Sequence, residues 1–460
     1  MALAFISELS TSTAILLIIC LLAVCFFEAI NGFHDTANAV ATVIYTNTLK
    51  PVQAVIWSGI WNFLGVYAGG IAVAMGILKL IPLNDLMVQP IGENTALVLS
   101  ILLAAIAWNL GTWYLGIPCS SSHTLIGSLL GAGFAFYGVH QGDGPNWGKA
   151  GEIGLSLLVS PLFGFSLAIL LMYVLKSTVK SKRIFKEPSE KKPPPFWIRA
   201  ILVATCTLVS FFHGSNDGQK GVGLLLVVLM AFMPLQYAIN HNVPVEDFKN
   251  AALSLQTTLN QAATGEHADH IRALAGQAGR TAAEIDSVDT KDKNQVFALR
   301  KSIQKLNKSI EADLKSGVIE GAAASATRHE IKKLKSSYEF APLWAIILIA
   351  FCLGVGTMIG WKRIVVTIGE KIGKSHLTYA QGASAEICAA ATIGISTGFG
   401  LPVSTTHVLS SGIAGTMVAQ GGIKNLQKKT VKNIAIAWLL TLPVTFVLSA
   451  TLFFFLRMIL

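Results

Sequence analysis

Long apolar stretches alternate with short polar segments along most of the chain. The stretches that carry almost no charge are roughly 13–48, 51–82, 95–138, 150–176, 198–235, 340–361, 378–418 and 431–457. A membrane-spanning helix needs about 20 consecutive apolar residues, and several stretches exceed that length. The pattern therefore predicts an all-α polytopic membrane protein.

Polar or Gly/Pro clusters interrupt four of these stretches, namely 13–48, 95–138, 198–235 and 378–418. In lipid, irregular backbone survives only where protein buries it or where it lines a cavity. We therefore expect broken or re-entrant helices at these four places, and we expect the working site of the protein to lie there.

Charged residues are rare and unevenly placed. They make up 13% of the chain, against about 25% in a soluble protein, which excludes a soluble enzyme and a disordered chain. Residues 236–337, however, hold 14 Lys/Arg and 12 Asp/Glu. We expect a helical extramembrane insertion there, with an amphipathic helix whose apolar residues recur every three or four positions. These residues are Val296, Leu299, Ile303, Leu306, Ile310 and Leu314.

Basic residues in short connections predict the orientation. Lys50 stands alone, while segments 176–199, 362–376 and 424–432 hold eight, four and four Lys/Arg. Because cytoplasmic loops carry such an excess, both termini should lie outside. Each half then makes three net crossings in opposite directions, which is the layout of two inverted-topology repeats. The net charge of +10 then reflects sidedness rather than nucleic-acid binding.

Five segments follow from this layout. Residues 1–176 form the first membrane repeat, and 177–197 form a cytoplasmic linker. Residues 198–235 and 338–460 form the second repeat. The insertion 236–337 interrupts the second repeat and should lie in the periplasm.

The two halves also match in sequence. Gly-Phe-His-Asp-Thr-Ala-Asn at 32–38 aligns with Gly-Ser-Asn-Asp-Gly-Gln-Lys at 214–220. Pro-Cys-Ser-Ser-Ser-His at 118–123 aligns with Pro-Val-Ser-Thr-Thr-His at 402–407. Each half therefore carries one carboxylate motif and one Ser/Thr cluster.

The spacing of these motifs supports the repeat. Asp35 and Ser121 are 86 residues apart, and Asp217 and Thr405 are 188 apart. The difference, 188 − 86 = 102, equals the length of the insertion 236–337. Without the insertion, the motifs have the same spacing in both halves.

Asp35 and Asp217 are ionisable residues inside apolar stretches. Such residues are costly at membrane depth and mark a functional site by default, although a polar pair that seals a helix break is the structural alternative. Asn38 and Asn216 add amide groups, and nearby glycines let a helix break and expose carbonyls. Carboxylate and carbonyl oxygens suit a hard cation or a proton, so we predict a coupling-ion site.

The Ser/Thr clusters each precede an apolar, glycine-containing stretch. Proline ends one segment and Ser or Thr caps the next helix, so ordinary capping is one interpretation. The equivalent places of the clusters favour another, in which two helix N-termini face each other and bind a tetrahedral oxyanion. The predicted oxyanion-binding residues are Ser120, Ser121, Ser122, Thr124, Ser404, Thr405, Thr406 and Lys220.

Lys220 aligns with Asn38 and breaks the symmetry of the halves. It contacts the anion, stands in for a coupling cation, or is a snorkelling Lys at a helix end. Glu28 and Glu386 are further carboxylates in apolar stretches, and each is either a proton-relay group or a satisfied structural residue. The predicted coupling-ion residues are Asp35, Asn38, Asn216, Asp217 and Glu386.

Four histidines lie in the motifs, at positions 34, 123, 213 and 407. Their spacing has no metal-ligand signature, so the sequence assigns no metal ligand. We interpret these histidines as hydrogen-bonding partners of the site before we interpret them as proton carriers.

At this point the motifs are recognisable. Gly-Phe-His-Asp-Thr-Ala-Asn-Ala at 32–39 and His-Gly-Ser-Asn-Asp-Gly-Gln-Lys-Gly at 213–221 resemble the paired signatures of the inorganic phosphate transporter (PiT) family. The resemblance runs through both membrane halves, including segments 118–127, 356–361 and 401–411. It is greatest for the bacterial low-affinity phosphate permeases.

The resemblance implies secondary transport of inorganic phosphate with a proton or a sodium ion, in the bacterial inner membrane. It also implies re-entrant helices at the Ser/Thr clusters, whose Ser and Thr residues hold phosphate oxygens beside the two Asp–Asn pairs. The partners implied are phosphate, the coupling cation, the lipid bilayer and a second copy in a homodimer. In the permeases that the chain resembles, Mg²⁺ or another divalent metal is a candidate to travel with phosphate as a neutral complex.

Three alternatives stay open. A channel would use the same polar breaks, but paired re-entrant segments with buried carboxylates favour coupled transport. An intramembrane hydrolase would use Ser121 and His123, but neighbours at a helix start rarely form a nucleophile–base pair, so we expect no enzyme. Sulfate is the main rival substrate. The choice between proton and sodium coupling is also open. Lys220 favours protons, because its ammonium would occupy one cation site or repel a cation from it.

Overall fold

The computed structural model describes residues 9–81, 83–86, 88–141, 144–189 and 193–460. Every regular element in these residues is helical, which confirms the all-α prediction. The chain divides into two compact units. The first contains Met1–Asp85, Gln89–Val228 and Pro342–Leu460, and the second contains Leu86–Val88 and Leu229–Ala341.

The helices follow one another with short connections. Up to the second motif they are α1 (Thr11–Tyr45), α2 (Pro51–Ala68), α3 (Ala72–Leu78), α4 (Leu83–Leu86), α5 (Ile91–Tyr114), α6 (Ser121–His140), α7 (Trp147–Thr178) and α8 (Phe196–His213). A π-helical turn (Gly214–Gly218) then leads into α9 (Gln219–Phe232) and α10 (Pro234–Ala238). Next come α11 (Val245–Ala262), α12 (Ala268–Ser287), α13 (Lys293–Ser316) and α14 (Gly321–Lys335). The last five are α15 (Leu343–Met358), α16 (Lys362–Glu370), α17 (Tyr379–Gly398), α18 (Thr405–Gly421) and α19 (Lys428–Arg457).

Several helices are long and apolar enough to cross a membrane. Among the described residues, α1, α5, α7, the run Phe196–Phe232 and α19 meet this condition. Two bent pairs, α2 with α3 and α15 with α16, bring the number of such spans to as many as seven. A multi-pass membrane protein is the class of fold that these helices define.

The predicted interruptions are only partly right. The breaks within 95–138 and 378–418 are confirmed, because α5 ends before α6 begins and α17 ends before α18 begins. The break within 198–235 is a single π-helical turn at Gly214–Gly218, which is a local bulge rather than an open segment.

The break predicted within 13–48 is wrong, because α1 runs without interruption through the first carboxylate motif. A polar side chain of α1 instead forms hydrogen bonds to backbone carbonyls. The Thr36 hydroxyl donates to the carbonyl of Gly32 one turn earlier and, at 2.9 Å, to the carbonyl of Thr357 on α15. Since a carbonyl of α1 itself and a carbonyl of α15 supply these partners, the backbone of α1 keeps its own hydrogen bonds and stays helical.

Two bends, by contrast, have no signal in the hydropathy pattern. Helices α2 and α3 meet at 72°, and α15 meets α16 at 67°. Gly70 and Gly360 lie at these corners with φ of +76° and +72°, a conformation that glycine adopts at little cost. The bends therefore depend on single glycines within otherwise helix-forming sequence.

In the first unit, α1 is the central helix. It packs against α2, α5, α8, α15 and α16. Helix α6 packs against α5 and α19, while α18 packs against α7 and α17. The first carboxylate motif therefore lies on a helix that packs against five others, where its polar side chains are buried.

The second unit contains four helices of the predicted insertion, α11 to α14. The predicted amphipathic helix is confirmed as α13, which buries Val296, Leu299, Ile303, Leu306 and Ile310. Its buried face also carries Arg300, whose guanidinium donates to the carbonyl of Ala238. Burial lowers the pKa of this guanidinium to about 10.

Candidate functional site

Two buried carboxylates form the centre of the site. Asp35 lies in α1 and Asp217 in the π-helical turn, and both are almost inaccessible to solvent. The Ser121 hydroxyl bridges them, at 2.9 Å from Asp35 Oδ2 and 3.4 Å from Asp217 Oδ2. The structure therefore brings together the carboxylates that the sequence pairs by alignment.

The two Ser/Thr clusters cross over to these carboxylates. Thr406, from the second cluster, donates to Asp35 Oδ1, and Thr405 lies 3.4 Å from Asp217 Oδ2. Ser121, from the first cluster, contacts both carboxylates. Hydroxyls from both clusters thus converge on one buried pair of charges.

Each aspartate has a different neighbour three residues later. Asn38 Nδ2 lies 3.3 Å from Asp35 Oδ1 and 3.1 Å from Thr406 Oγ1. Lys220 Nζ lies 2.6 Å from Asp217 Oδ1 and also donates to Ser122. A neutral amide thus accompanies the first carboxylate, whereas an ammonium accompanies the second.

His213 lies between the carboxylates. Its Nε2 is 3.8 Å from Asp35 Oδ2 and 3.6 Å from Asp217 Oδ2, and among the described residues it has no hydrogen-bond partner. Its Nδ1 is held by Asn62 at 2.9 Å. One ligand atom from each of Asp35, His213 and Asp217 lies within 4.8 Å of the others, so this triad is a candidate cation site.

No spacing in the sequence predicts this triad, because its members come from different parts of the chain. Asn62, which orients His213, is outside every motif. The available hint was the position of His213 four residues before Asp217, one helical turn away.

The N-termini of α6 and α18 meet beside the carboxylates. Ser122 Oγ donates to the carbonyl of Val403 at 2.8 Å, and the rings of His123 and His407 lie 4.5 Å apart. His407 in turn stacks on Trp438 at 3.8 Å. The first turns of the two helices, with their free N–H groups, therefore border one site.

Three of the predicted oxyanion-binding residues serve these first turns. Ser120 accepts from the His123 amide at 3.2 Å, and Ser404 accepts from the His407 amide at 3.1 Å. Thr124 donates to the carbonyl of Ser120 at 2.9 Å. The capping interpretation applies to Ser120, Thr124 and Ser404. The side chains that face the carboxylates lie one or two positions after Ser120 and Ser404.

Two predicted coupling residues lie apart from the carboxylate pair. Asn216 contacts Thr397 at 2.9 Å and accepts from the Val403 amide at 3.2 Å, so it braces the connection between α17 and α18. Glu386 accepts from the hydroxyls of Thr42 and Thr205. Thr42 follows Asp35 by two turns of α1, about 10 Å along the helix.

Two glycines bring the supporting helices close to the site. Gly32 and Gly214 each precede an aspartate by three residues. A Cβ at position 32 would lie 2.7 Å from the Thr357 nitrogen, and one at position 214 would lie 2.8 Å from the carbonyl carbon of Asn62. Both carboxylates are thus positioned by backbone contacts that a larger residue would disturb.

A cavity of about 800 Å³ lies beside the connection between α5 and α6. Its lining includes Trp113, Pro118, Arg363, Lys371 and Asn433. The Arg363 guanidinium lies over the Trp113 ring at 5.1 Å. This basic cavity reaches Pro118, two residues before the first Ser/Thr cluster.

Membrane-crossing helices that enclose paired carboxylates and convergent hydroxyls define a membrane transport protein for a small polar solute. Comparison identifies the family. Residues 31–449 match the phosphate transporter family, so the chain belongs to this family. The prediction of the family is confirmed, and phosphate is the substrate of the family.

The relatives agree along almost the whole chain. The low-affinity inorganic phosphate transporter PitA of Escherichia coli (strain K12) is 42% identical, with 97% of each chain covered. PitB of the same strain is 39% identical with 96% covered. A probable low-affinity inorganic phosphate transporter of Bacillus subtilis (strain 168) is 29% identical with 97% covered. These bacterial relatives are transporters, as expected for a non-enzyme, and indicate a multi-pass inner-membrane protein.

A solved structure of a sodium-dependent phosphate transporter has a related fold. Its TM-score is 0.55, with 97% of this chain and 100% of that chain covered. At 20% identity this likeness supports the fold alone.

Proposed function

We propose that the protein imports inorganic phosphate by symport with a cation, either a proton or a sodium ion. The observation that carries this proposal is the convergence of Ser121 and Thr405, from two helix N-termini, on the carboxylate of Asp217. Hydroxyls and free N–H groups suit an oxyanion, and carboxylates suit a cation. One buried site therefore offers ligands of both kinds.

Phosphate binds at the N-termini of α6 and α18 in this proposal. Ser121, Thr405 and Thr406 turn their hydroxyls from the carboxylates to phosphate oxygens, and Ser122 turns its hydroxyl from the Val403 carbonyl. The capping residues Ser120, Thr124 and Ser404 keep the first helical turns in place, so that their N–H groups point at the anion.

The coupling cation binds at Asp35, with Asn38 beside it and Asp217 across the site. The same triad with His213 also suits a divalent metal that enters as cargo with phosphate, because carboxylates bind Mg²⁺ and an imidazole favours transition metals. In either case the cation offsets the repulsion between the carboxylates and the incoming anion.

A proton on the substrate decides whether the site selects phosphate or sulfate. Phosphate carries its own proton at neutral pH and donates it to a carboxylate, whereas sulfate has no proton to donate. D35E and D217E each move the acceptor by one methylene, so we expect uptake to fall and sulfate to compete better. Unchanged phosphate uptake by both variants would refute this basis for selectivity.

The fold proposed for this function consists of two inverted repeats. The crossed contacts support it, since each Ser/Thr cluster reaches the carboxylate of the other half. The segments around α6 and α18 are re-entrant, both termini lie outside, and two copies associate in the bilayer. The basic cavity beside Pro118 is then the vestibule for phosphate on the cytoplasmic side. The excess of Lys and Arg in short connections predicts which side is cytoplasmic.

Uptake of labelled phosphate into proteoliposomes tests this function. We expect accumulation under an imposed pH or sodium gradient, with Mg²⁺ tested separately as an addition. Uptake that ignores both gradients would indicate a channel, and block of uptake by excess sulfate would indicate the rival substrate. Uptake that ignores both gradients would refute phosphate symport.

A further inference from the structure

Matched positions in the two halves hold different charges. Asn38 and Lys220 each follow an aspartate by three residues, and each contacts that aspartate together with the third residue of the opposite Ser/Thr cluster. For Asn38 this third residue is Thr406, and for Lys220 it is Ser122. The ammonium thus takes the place that a neutral amide holds in the other half.

The surroundings of Lys220 are those of a bound cation. Its side chain is only 2% exposed. Its Nζ contacts Asp217 Oδ1 at 2.6 Å, the carbonyl of Val403 at 3.0 Å and the hydroxyl of Ser122. A carboxylate, a carbonyl and a hydroxyl are ligands that a small hard cation prefers. These three acceptors use all three N–H donors of the ammonium.

The charge balance of the two carboxylates differs accordingly. A buried carboxylate needs a compensating positive charge. Lys220 supplies this charge to Asp217, so Asp217 has a fixed positive partner. In the described part of the chain, the ion-pair partners of Asp35 are only His34 and His213, at 3.6 Å and 3.8 Å. Asp35 therefore has no permanently charged partner.

We propose that Lys220 is a tethered cation that permanently fills one of two equivalent cation sites. The mobile coupling cation then binds only on the Asp35 side, and each phosphate enters with one positive charge fewer than two open sites would give. The inference rests on the proposed phosphate symport and deepens it, because it determines how many cations accompany phosphate.

The variant K220N tests this inference, because it copies Asn38 into the second half. The readout is the number of charges that cross per phosphate, obtained in proteoliposomes from the membrane potential at which net flux of labelled phosphate stops. We expect K220N to move one more positive charge per phosphate than the wild type. An unchanged number of charges in a transporting K220N would overturn the inference.

A binding readout supplements transport. Sodium chloride should raise the thermal unfolding temperature of purified K220N by several degrees more than that of the wild type, with choline chloride as the salt control. K220M removes the ammonium without adding an oxygen ligand, so it should gain no sodium stabilisation. Equal sodium effects on K220N, K220M and the wild type would contradict the proposal for a sodium-coupled protein, even if K220N does not transport, and the charge count decides the proton-coupled case.

The reverse variant, N38K, covers the case in which K220N does not fold. It places a second ammonium at Asp35, so we expect gradient-driven accumulation to fall at least tenfold, and further than phosphate exchange falls. Accumulation equal to the wild type would overturn the inference. Wild-type liposomes without phosphate uptake would instead refute the proposed function itself.

Discussion

Asp35 and Asp217 hold equivalent places in the two halves, yet the groups around them differ. Asp35 lies in a regular stretch of α1 and contacts Asn38 and the hydroxyl of Thr406. Asp217 lies in a π-helical turn and contacts Lys220. The second carboxylate thus has its counter-charge within the chain, whereas among the described residues the first pairs only with His34 and His213.

This difference shows how two matching motifs take separate roles. Similar hydroxyls surround both carboxylates, but one changed side chain turns a cation-binding place into a fixed ion pair. We propose that Asp35 serves coupling and that Asp217 holds the site together. The predictions below separate these two tasks.

The largest effect is expected from neutralising the two aspartates. D35N and D217N should each lower phosphate uptake more than about 100-fold, since each removes a charge at the proposed site. D217N should also destabilise the protein by about 3–5 kcal/mol, because Lys220 is left buried without its counter-charge. D35N should destabilise it less.

Thermal unfolding of the purified variants measures this difference. The double variant D217N/K220M is the matched control, because it removes both charges and should recover most of the stability that D217N loses. Equal destabilisation by D35N and D217N, or no recovery in the double variant, would show that the two carboxylates are not distinguished by Lys220.

A smaller effect is expected at the glycines that precede the aspartates. G32A and G214A force α1 away from α15 and the π-helical turn away from α2, so each should cost about 1–3 kcal/mol of stability. G111A on α5 is the control, because a Cβ there meets no atom within 4 Å, and alanine favours a helix by roughly 0.5–1 kcal/mol. If G32A and G214A unfold at the same temperature as G111A, the close contacts do not position the carboxylates.

The smallest effect is expected at Glu386, which lies apart from the pair. E386Q keeps one carbonyl acceptor and places an amide NH2 beside the other hydroxyl, which can accept from it, so the fold should be retained. If Glu386 carries the coupling proton, accumulation driven by a pH gradient should fall by about two- to tenfold, while phosphate exchange without a gradient stays unchanged. Equal loss of exchange and accumulation would show that Glu386 has a structural role only.

Much of this site was predictable from the sequence, because its chemistry depends on residue type and spacing. The paired aspartates, the two Ser/Thr clusters and the breaks before α6 and α18 follow from buried charge, proline and capping residues. Their equal spacing without the insertion indicated that the motifs belong to one site, where Ser121 does contact both carboxylates.

The remaining features depend on tertiary contacts. The polar motif of α1 predicts a break, but Thr357 and Thr406 satisfy its side chains and the helix continues. Ser120 is a helix cap, and Ser121 contacts the carboxylates. Which of the two takes which role depends on the direction in which the first turn of α6 faces. The place of His213 depends on Asn62, from a helix that carries no motif.

Equilibrium binding of labelled phosphate to the purified protein tests the central claim most directly, namely that phosphate binds where both Ser/Thr clusters meet the carboxylates. The double variant S121A/T405V removes one hydroxyl from each cluster. Its control is S128A/T416V, whose hydroxyls bond only to the backbone of their own helices. A hydrogen bond to a charged group contributes about 1.5–3 kcal/mol, so S121A/T405V should raise the Kd at least about 100-fold. The control should stay within about twofold of the wild type, and an S121A/T405V variant that binds phosphate as tightly as this control would contradict the account.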